Sequence, residues 1–209
     1  MRKELKKKKR IRLHNKKLVK KYPWLMRRDW FGNPCKGYEW TELDDLDKGW
    51  RIAFGMMIVK EIDEILRKAH YERKYQIVQV KEKYGGLRWY DNGAPREIYD
   101  ELQRTINKYS CLSENICGHC GRPDVFMTYS GWDYPLCKKC WNTCINDNRE
   151  YEQVISDKDT GKMANSYTIH RFSENQDITY DISDTAERIR RRYEKRSERS
   201  ARRLQRLGQ

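Results

Sequence analysis

Two Cys-x-x-Cys pairs, Cys117/Cys120 and Cys137/Cys140, stand in the stretch CGHCGRPDVFMTYSGWDYPLCKKC with sixteen residues between them. This spacing belongs to four-cysteine zinc sites. It constrains the fold more than any other feature, because four thiolates must meet at one point. Thiols stay reduced in the cytosol, so seven cysteines with four in a paired pattern read as a metal site and not as a disulfide framework. Four sulfur ligands close a tetrahedron and leave zinc no open position for water, so the expected cofactor is one structural Zn2+. Its binding energy becomes folding energy for a segment too small to fold unaided. An iron–sulfur cluster and a redox dithiol are the alternatives. Arg122, Lys138 and Lys139 stand near to offset the negative charge of a loaded cluster, while Cys35, Cys111 and Cys144 are spare thiols.

The insert between the pairs has two short β-prone runs, 125–129 and 132–134, around Ser130-Gly131, and the second pair opens a run whose composition continues as a helix to about residue 156. Knuckle, hairpin and ligand-bearing helix make a treble-clef-like four-cysteine module. A zinc ribbon is the other arrangement of the same ligands.

Charge is concentrated at the ends. The chain carries a net +14, yet residues 1–21 hold twelve Lys/Arg against one Glu and residues 184–209 hold ten against four, which leaves the body between them slightly acidic. Cationic ends suit a polyanion, because each Lys or Arg on a phosphate releases a condensed counterion. Lys7, Lys8, Lys9 and Arg10 at one end and Arg190, Arg191 and Arg192 at the other are the candidate contacts. No window is apolar enough for a membrane span or a secretory signal, so a cytoplasmic protein is expected.

Between the ends, residues 1–21 read as a basic arm, ordered only when docked, and residues 22–45 as an irregular segment laying its aromatic side chains onto the body. From Asp47 to about His70, apolar residues from Trp50 to Ala69 recur at helical spacing, with Asp44, Asp45 and Asp47 at the amino end. The period then changes to two, and residues 75–84 and 87–90 read as strands joined by a Gly85-Gly86 turn. Val78, Val80, Tyr84, Leu87 and Trp89 fall on the expected inner face. Lys81, Lys83, Arg88 and Tyr90 fall on the outer one, a mixture of cations and an aromatic ring that could track a nucleic-acid backbone and stack a base. A second helix runs from Pro95 to about Leu112. The fold class is α+β: a helix–hairpin–helix module over 22–114, the four-cysteine zinc module over 115–156, a linker and second hairpin over 157–183, and a basic helix or tail over 184–209.

The run Gln79-Val80-Lys81-Glu82-Lys83-Tyr84-Gly85-Gly86-Leu87-Arg88-Trp89-Tyr90, followed by Leu112-Ser113, the first cysteine pair, Gly131-Trp132 and the second pair, resembles a family of small hypothetical proteins of bacteriophages and prophages. The resemblance covers about residues 22–145. It implies a phage or prophage origin, hence a host cytoplasm, and this order of hairpin and zinc cluster; it implies no reaction. The basic arm and the segment after 150 depart from the family's pattern.

The function expected is a non-catalytic, zinc-stabilised protein that binds nucleic acid or a nucleoprotein assembly through its basic ends. A protein-interaction module acting on a host complex is the first alternative. A metal-dependent nuclease is another, disfavoured because His14, His70, His119 and His170 place no base in the insert or the helix after it. His70 with Pro135 to Cys140 faintly echoes the zinc deaminases, but Pro135 is one residue too far from its pair.

Overall fold

The structure, a computed structural model, describes residues 2–125, 127–128, 134–147, 163–171 and 176–207. The fold is mixed α+β, with helices and, among the described residues, three separate two-stranded sheets. Two compact units divide the chain: 1–47, 55–82 and 87–107 form one, and 48–54, 83–86 and 108–209 form the other, which carries the cysteines.

In the first unit, α1 (Arg2–Lys21) is a continuous helix, and its second half is anchored. Buried Asn15 donates from Nδ2 to the carbonyls of Tyr38 and Glu39 at 3.0 and 3.2 Å, Arg12 pairs with Glu39, and Val19 is buried. These contacts order an arm whose own cations repel. The following 3-10 turn (Pro23–Leu25) drives Trp24 and Leu25 inward. Trp24 packs edge-on to Tyr75 and tilted against Trp89, with centroids 5.7 and 6.3 Å apart. Each polar atom in this aromatic group is satisfied: Trp24 Nε1 donates to Asp63, Trp89 Nε1 to the Tyr75 hydroxyl, and that hydroxyl to Asp91. Burial raises the Tyr75 hydroxyl's pKa well above the ordinary value, so it stays a donor.

The aromatic residues of 22–45 do not all follow Trp24. Trp30 and Phe31 are 96% and 85% exposed and Trp40 is also outside, contrary to the expectation that this segment lays its rings on the body. The cause is local. Asp29 accepts the backbone N–H groups of Phe31 and Asn33, and Gly32 N–H closes on the Asp29 carbonyl, so a tight turn holds both rings at its tip.

The helix expected from Asp47 to about His70 is present over 48–68 as consecutive α, π and α segments, but its acidic start differs. Thr41 and Asp44 form a capping box on a 3-10 turn (Glu42–Asp45), Asp45 pairs with Arg27, and Leu46 is extended, so Asp44 and Asp45 serve that turn, while Asp47 directly precedes the helix. One helical turn, α2 (Lys48–Trp50), leads through a π turn (Arg51–Gly55) into α3 (Met56–Lys68). Ile58, Ile62 and Leu66 of α3 are fully buried, each worth about 1.5–3 kcal/mol. Lys68 bridges to Glu101 of α4 (Arg96–Ser113) at 2.6 Å, and Leu102 of α4 is fully buried.

Strands β1 (Ile77–Lys83) and β2 (Gly86–Asp91) pair as expected, but the turn lies one residue earlier. Tyr84 and Gly85 both take positive φ, 53° and 74°, as a two-residue hairpin turn requires. In β1 the buried positions are Ile77 and Val80, with Val78 and Gln79 outward between them, an interruption of the kind a bulge introduces. Val78 and Tyr84 are therefore exposed, at 68% and 69%, and only Val80, Leu87 and Trp89 of the expected inner face are buried.

The second unit contains α2, the carboxyl end of α4, short strands β3 (Met127–Thr128) and β4 (Tyr134–Pro135), α5 (Lys138–Asp147), the hairpin β5 (Ser166–Arg171) and β6 (Gln176–Asp181), and α6 (Ser183–Leu207). β3 pairs antiparallel with β4; the turn expected at Ser130-Gly131 and the helix expected beyond 147 lie outside the described residues. In the last hairpin Tyr167 stacks on Tyr180 at 5.3 Å, and the hydroxyls of Thr168 and Thr179 bond at 2.9 Å. Among the described residues, no helix is long and apolar enough to cross a membrane.

Candidate metal centre

Cys117 and Cys120 stand in a knuckle closed by the backbone. Cys117 N–H donates to the Arg122 carbonyl at 2.9 Å and Gly121 N–H to the Cys117 carbonyl at 2.8 Å, and Gly121 takes a φ of +73°. Gly118 N–H reaches the Pro135 carbonyl at 2.9 Å, tying the knuckle to β4 directly before the second pair. Cys137 and Cys140 stand at the start of α5, where the helix dipole favours thiolate. The sequence thus supplies one pair from a turn and the other from a helix start.

All four sulfur atoms lie within 4.8 Å of one another, the one such group of His, Cys, Asp or Glu among the described residues. Cys120 Sγ and Cys137 Sγ are 3.7 Å apart. A zinc–sulfur bond of about 2.3 Å gives a regular tetrahedron an edge of about 3.8 Å, so the donor set fits the metal in kind and spacing. Cys117, Cys137, Val125, Leu136 and Trp141 form a small buried core around it.

The electrostatics of the four thiols also fit a metal. The Cys120 thiol and the backbone N–H groups of Cys137, Cys120 and His119 draw the Cys117 thiol well below its ordinary pKa. Cys120 is pushed up by its bond to Cys117 and by burial, and Cys140 by burial and the Cys117 charge, to about 12. Burial and the neighbouring Cys117 charge thus oppose ionising Cys120 and Cys140. A dication would let all four ionise, and as a closed sulfur site it would supply cross-linking with no position for a reacting water.

Long-range contacts that the sequence does not announce hold the knuckle. Gly49 N–H bonds to the Gly118 carbonyl, and a Cβ on Gly49 would lie 2.0 Å from the Cys117 carbonyl oxygen. Trp50 Nε1 donates to the Ile116 carbonyl at 2.8 Å, and Phe54 packs at a tilt against Tyr109. Asp124, φ 55°, accepts the Met163 N–H and a two-pronged bond from Arg190 at 2.8 and 2.9 Å. Arg196 donates to the Cys120 carbonyl at 2.7 Å and lies over the Tyr193 ring. Gly49, Asp124 and Arg196 were not singled out by spacing or motif, since each is defined by a partner at least 66 residues away.

His119 is not part of the sulfur group; its ring packs edge-on against Tyr134. Cys35 is exposed and Cys111, half-buried, is pushed up to about 11 by burial; neither joins the cluster. The group contains no histidine and no carboxylate, hence no general base.

The residues expected to meet nucleic acid fare differently. Lys7, Lys8, Lys9 and Arg10 are exposed on the first half of α1. On the hairpin, Lys81 lies 5.5 Å from the exposed Tyr90 ring, so these two do share a face. Lys83 covers Tyr84 instead, and half-buried Arg88 donates to the Leu87 carbonyl. Arg190 is committed to Asp124 and Arg191 to Glu187, leaving Arg192 as the residue of that triplet with no such partner among the described residues. Compared with protein-family models, curated proteins and solved structures, the chain matches none.

Proposed function

We propose that the chain is a non-catalytic protein whose cysteine cluster is a treble-clef-type zinc scaffold, and that it binds nucleic acid or a nucleoprotein assembly through its cationic ends. The phage or prophage origin implied by the resemblance belongs to the same reading. The observation that carries it is the separation of roles: the sulfur cluster offers a metal but no base, while exposed cations collect on α1 and α6. Counterion release then supplies the affinity. The test is binding of DNA and RNA by the zinc-loaded chain across salt. Affinity should fall steeply between about 50 and 200 mM salt, and an absence of binding to either polymer ends the reading.

A second reading has its own support. Trp30 and Phe31, held at the tip of a hydrogen-bonded turn and almost fully exposed, have the character of aromatic anchors for a protein partner. Capture of a partner that survives nuclease treatment and is lost in Trp30→Ala/Phe31→Ala would favour that role.

A further inference from the structure

Within the second unit, α6 and the cysteine knuckle enclose a half-open pocket of about 310 Å³. Four cations line it, Arg192, Lys195, Arg196 and Arg199. Their spacing, i, i+3, i+4 and i+7, puts all four on one helix face. Like charges at these separations repel, so the arrangement is unfavourable until an anion enters. The neighbouring Arg190 and Arg191 have carboxylate partners, but among the described residues Arg192, Lys195 and Arg199 have none. Their side chains are exposed at the rim.

The pocket also has a rigid floor. Arg196 is half-buried, bonded to the Cys120 carbonyl and stacked over Tyr193. Gly121, Ile52 and Ala53 complete the lining, with Gly121 packed against Gly49 and Ala53. A zinc–tetrathiolate cluster would carry a formal charge of about −2, which four cations exceed, so counter-charge for the metal does not account for them.

The face continues past the pocket. Arg203 and Arg206 follow Arg199 by four and seven residues, and the run from Arg192 to Arg206 extends about 21 Å along the helix. That matches about six phosphates on one strand of a duplex. A free phosphate would occupy the pocket and leave the rest of the row unmatched; a polymer with phosphates at regular spacing matches both.

We infer that the pocket between α6 and the knuckle is a phosphate site that seats the backbone of a polynucleotide, with Arg196 as its fixed donor and Arg192, Lys195 and Arg199 closing on the phosphate. This rests on the proposed function and moves its carboxyl-terminal contacts from Arg190 and Arg191 to this face.

The test compares two double variants of the zinc-loaded full chain with equal net charge, R192Q/R199Q in the pocket and R191Q/R202Q on the glutamate-paired side. Glutamine preserves helix propensity in both. Binding of a labelled oligonucleotide should weaken at least about tenfold in the pocket variant, with the salt slope reduced by about two. It should weaken less than about twofold in the control. Equal losses, or no loss in R192Q/R199Q, overturn the inference while the proposed function stands. Pyrophosphate titrated onto the same proteins by calorimetry covers the remaining case. If no polynucleotide binds the wild type, the proposed function fails, and pyrophosphate binding absent from R192Q/R199Q preserves the pocket as a phosphate site; no binding of either probe overturns it.

Discussion

Apolar burial runs through both units, but the cysteine knuckle of the second needs a further force. In the first, Trp24, Trp89, Tyr75, Ile58, Ile62, Leu66 and Leu102 form an apolar core whose buried polar atoms are paired internally. In the second, Trp50, Phe54, Tyr109, Leu112 and Ile116 are fully buried as well, but the cluster directly around the sulfur atoms has five buried residues, two of them cysteines. Core size decides what each can do without help. The first can rely on area removed from water, whereas the knuckle depends on something that draws four thiols together. A scaffold of this second kind is conditional on metal supply and on pH, and the cationic helix leaning on it through Arg196 and Arg190 inherits that condition.

The sharpest way to break the contrast is to remove a ligand. Cys137→Ser should abolish tight zinc binding and unfold the knuckle, since structural zinc contributes about 10–16 kcal/mol of apparent binding energy in small zinc modules. Metal content and amide exchange would report it, with protection lost around Cys117 to Trp141 and retained in α3. The reciprocal change, Trp24→Ala, empties the aromatic core and leaves buried Asp63 without its indole donor. A loss of about 3–5 kcal/mol is expected in denaturant unfolding, with zinc stoichiometry unchanged.

Gly49→Ala sits at the opposite extreme of size, one methyl, yet its Cβ meets Cys117 and Gly118 backbone atoms at 2.0–2.5 Å. It should cost about 1–3 kcal/mol or more and weaken zinc retention against a competing chelator. Acidification sharpens the contrast by another route. Cys120 and Cys140 have raised pKa values, so loading must displace their protons, and affinity should rise with pH and fall as pH drops. Chromophoric chelator titrations at several pH values would measure this; zinc retention independent of pH would exclude thiolate ligation. The smallest effect is expected at the hairpin. Tyr84→Asn relieves a bulky residue at φ 53° and should stabilise by about 0.5–1 kcal/mol in thermal unfolding.

Local signals were readable and distant partners were not. The sulfur group could be named from spacing, because each Cys-x-x-Cys pair is set locally, one by a turn and the other by a helix start. The buried stripe of α3 followed from the apolar period. The turn at Tyr84-Gly85 was misplaced by one because two glycines promise positive φ more cheaply than a tyrosine does. Trp30 and Phe31 were expected inside, since burial of rings is favourable, but the Asp29 turn overrides that tendency. Arg190 looked free because its partner Asp124 is 66 residues distant. The pocket depends on α6 meeting the knuckle, which no local pattern encodes.

The central claim is that metal and apolar burial hold separate parts of one chain. Hydrogen exchange by mass spectrometry on the zinc-loaded protein, before and after chelation, tests it most directly. One zinc per chain is expected, with selective loss of protection over the knuckle, α5 and the first turns of α6, and with α3 and β2 unchanged. Uniform loss across both units, or full protection of the knuckle after the metal is gone, would contradict it.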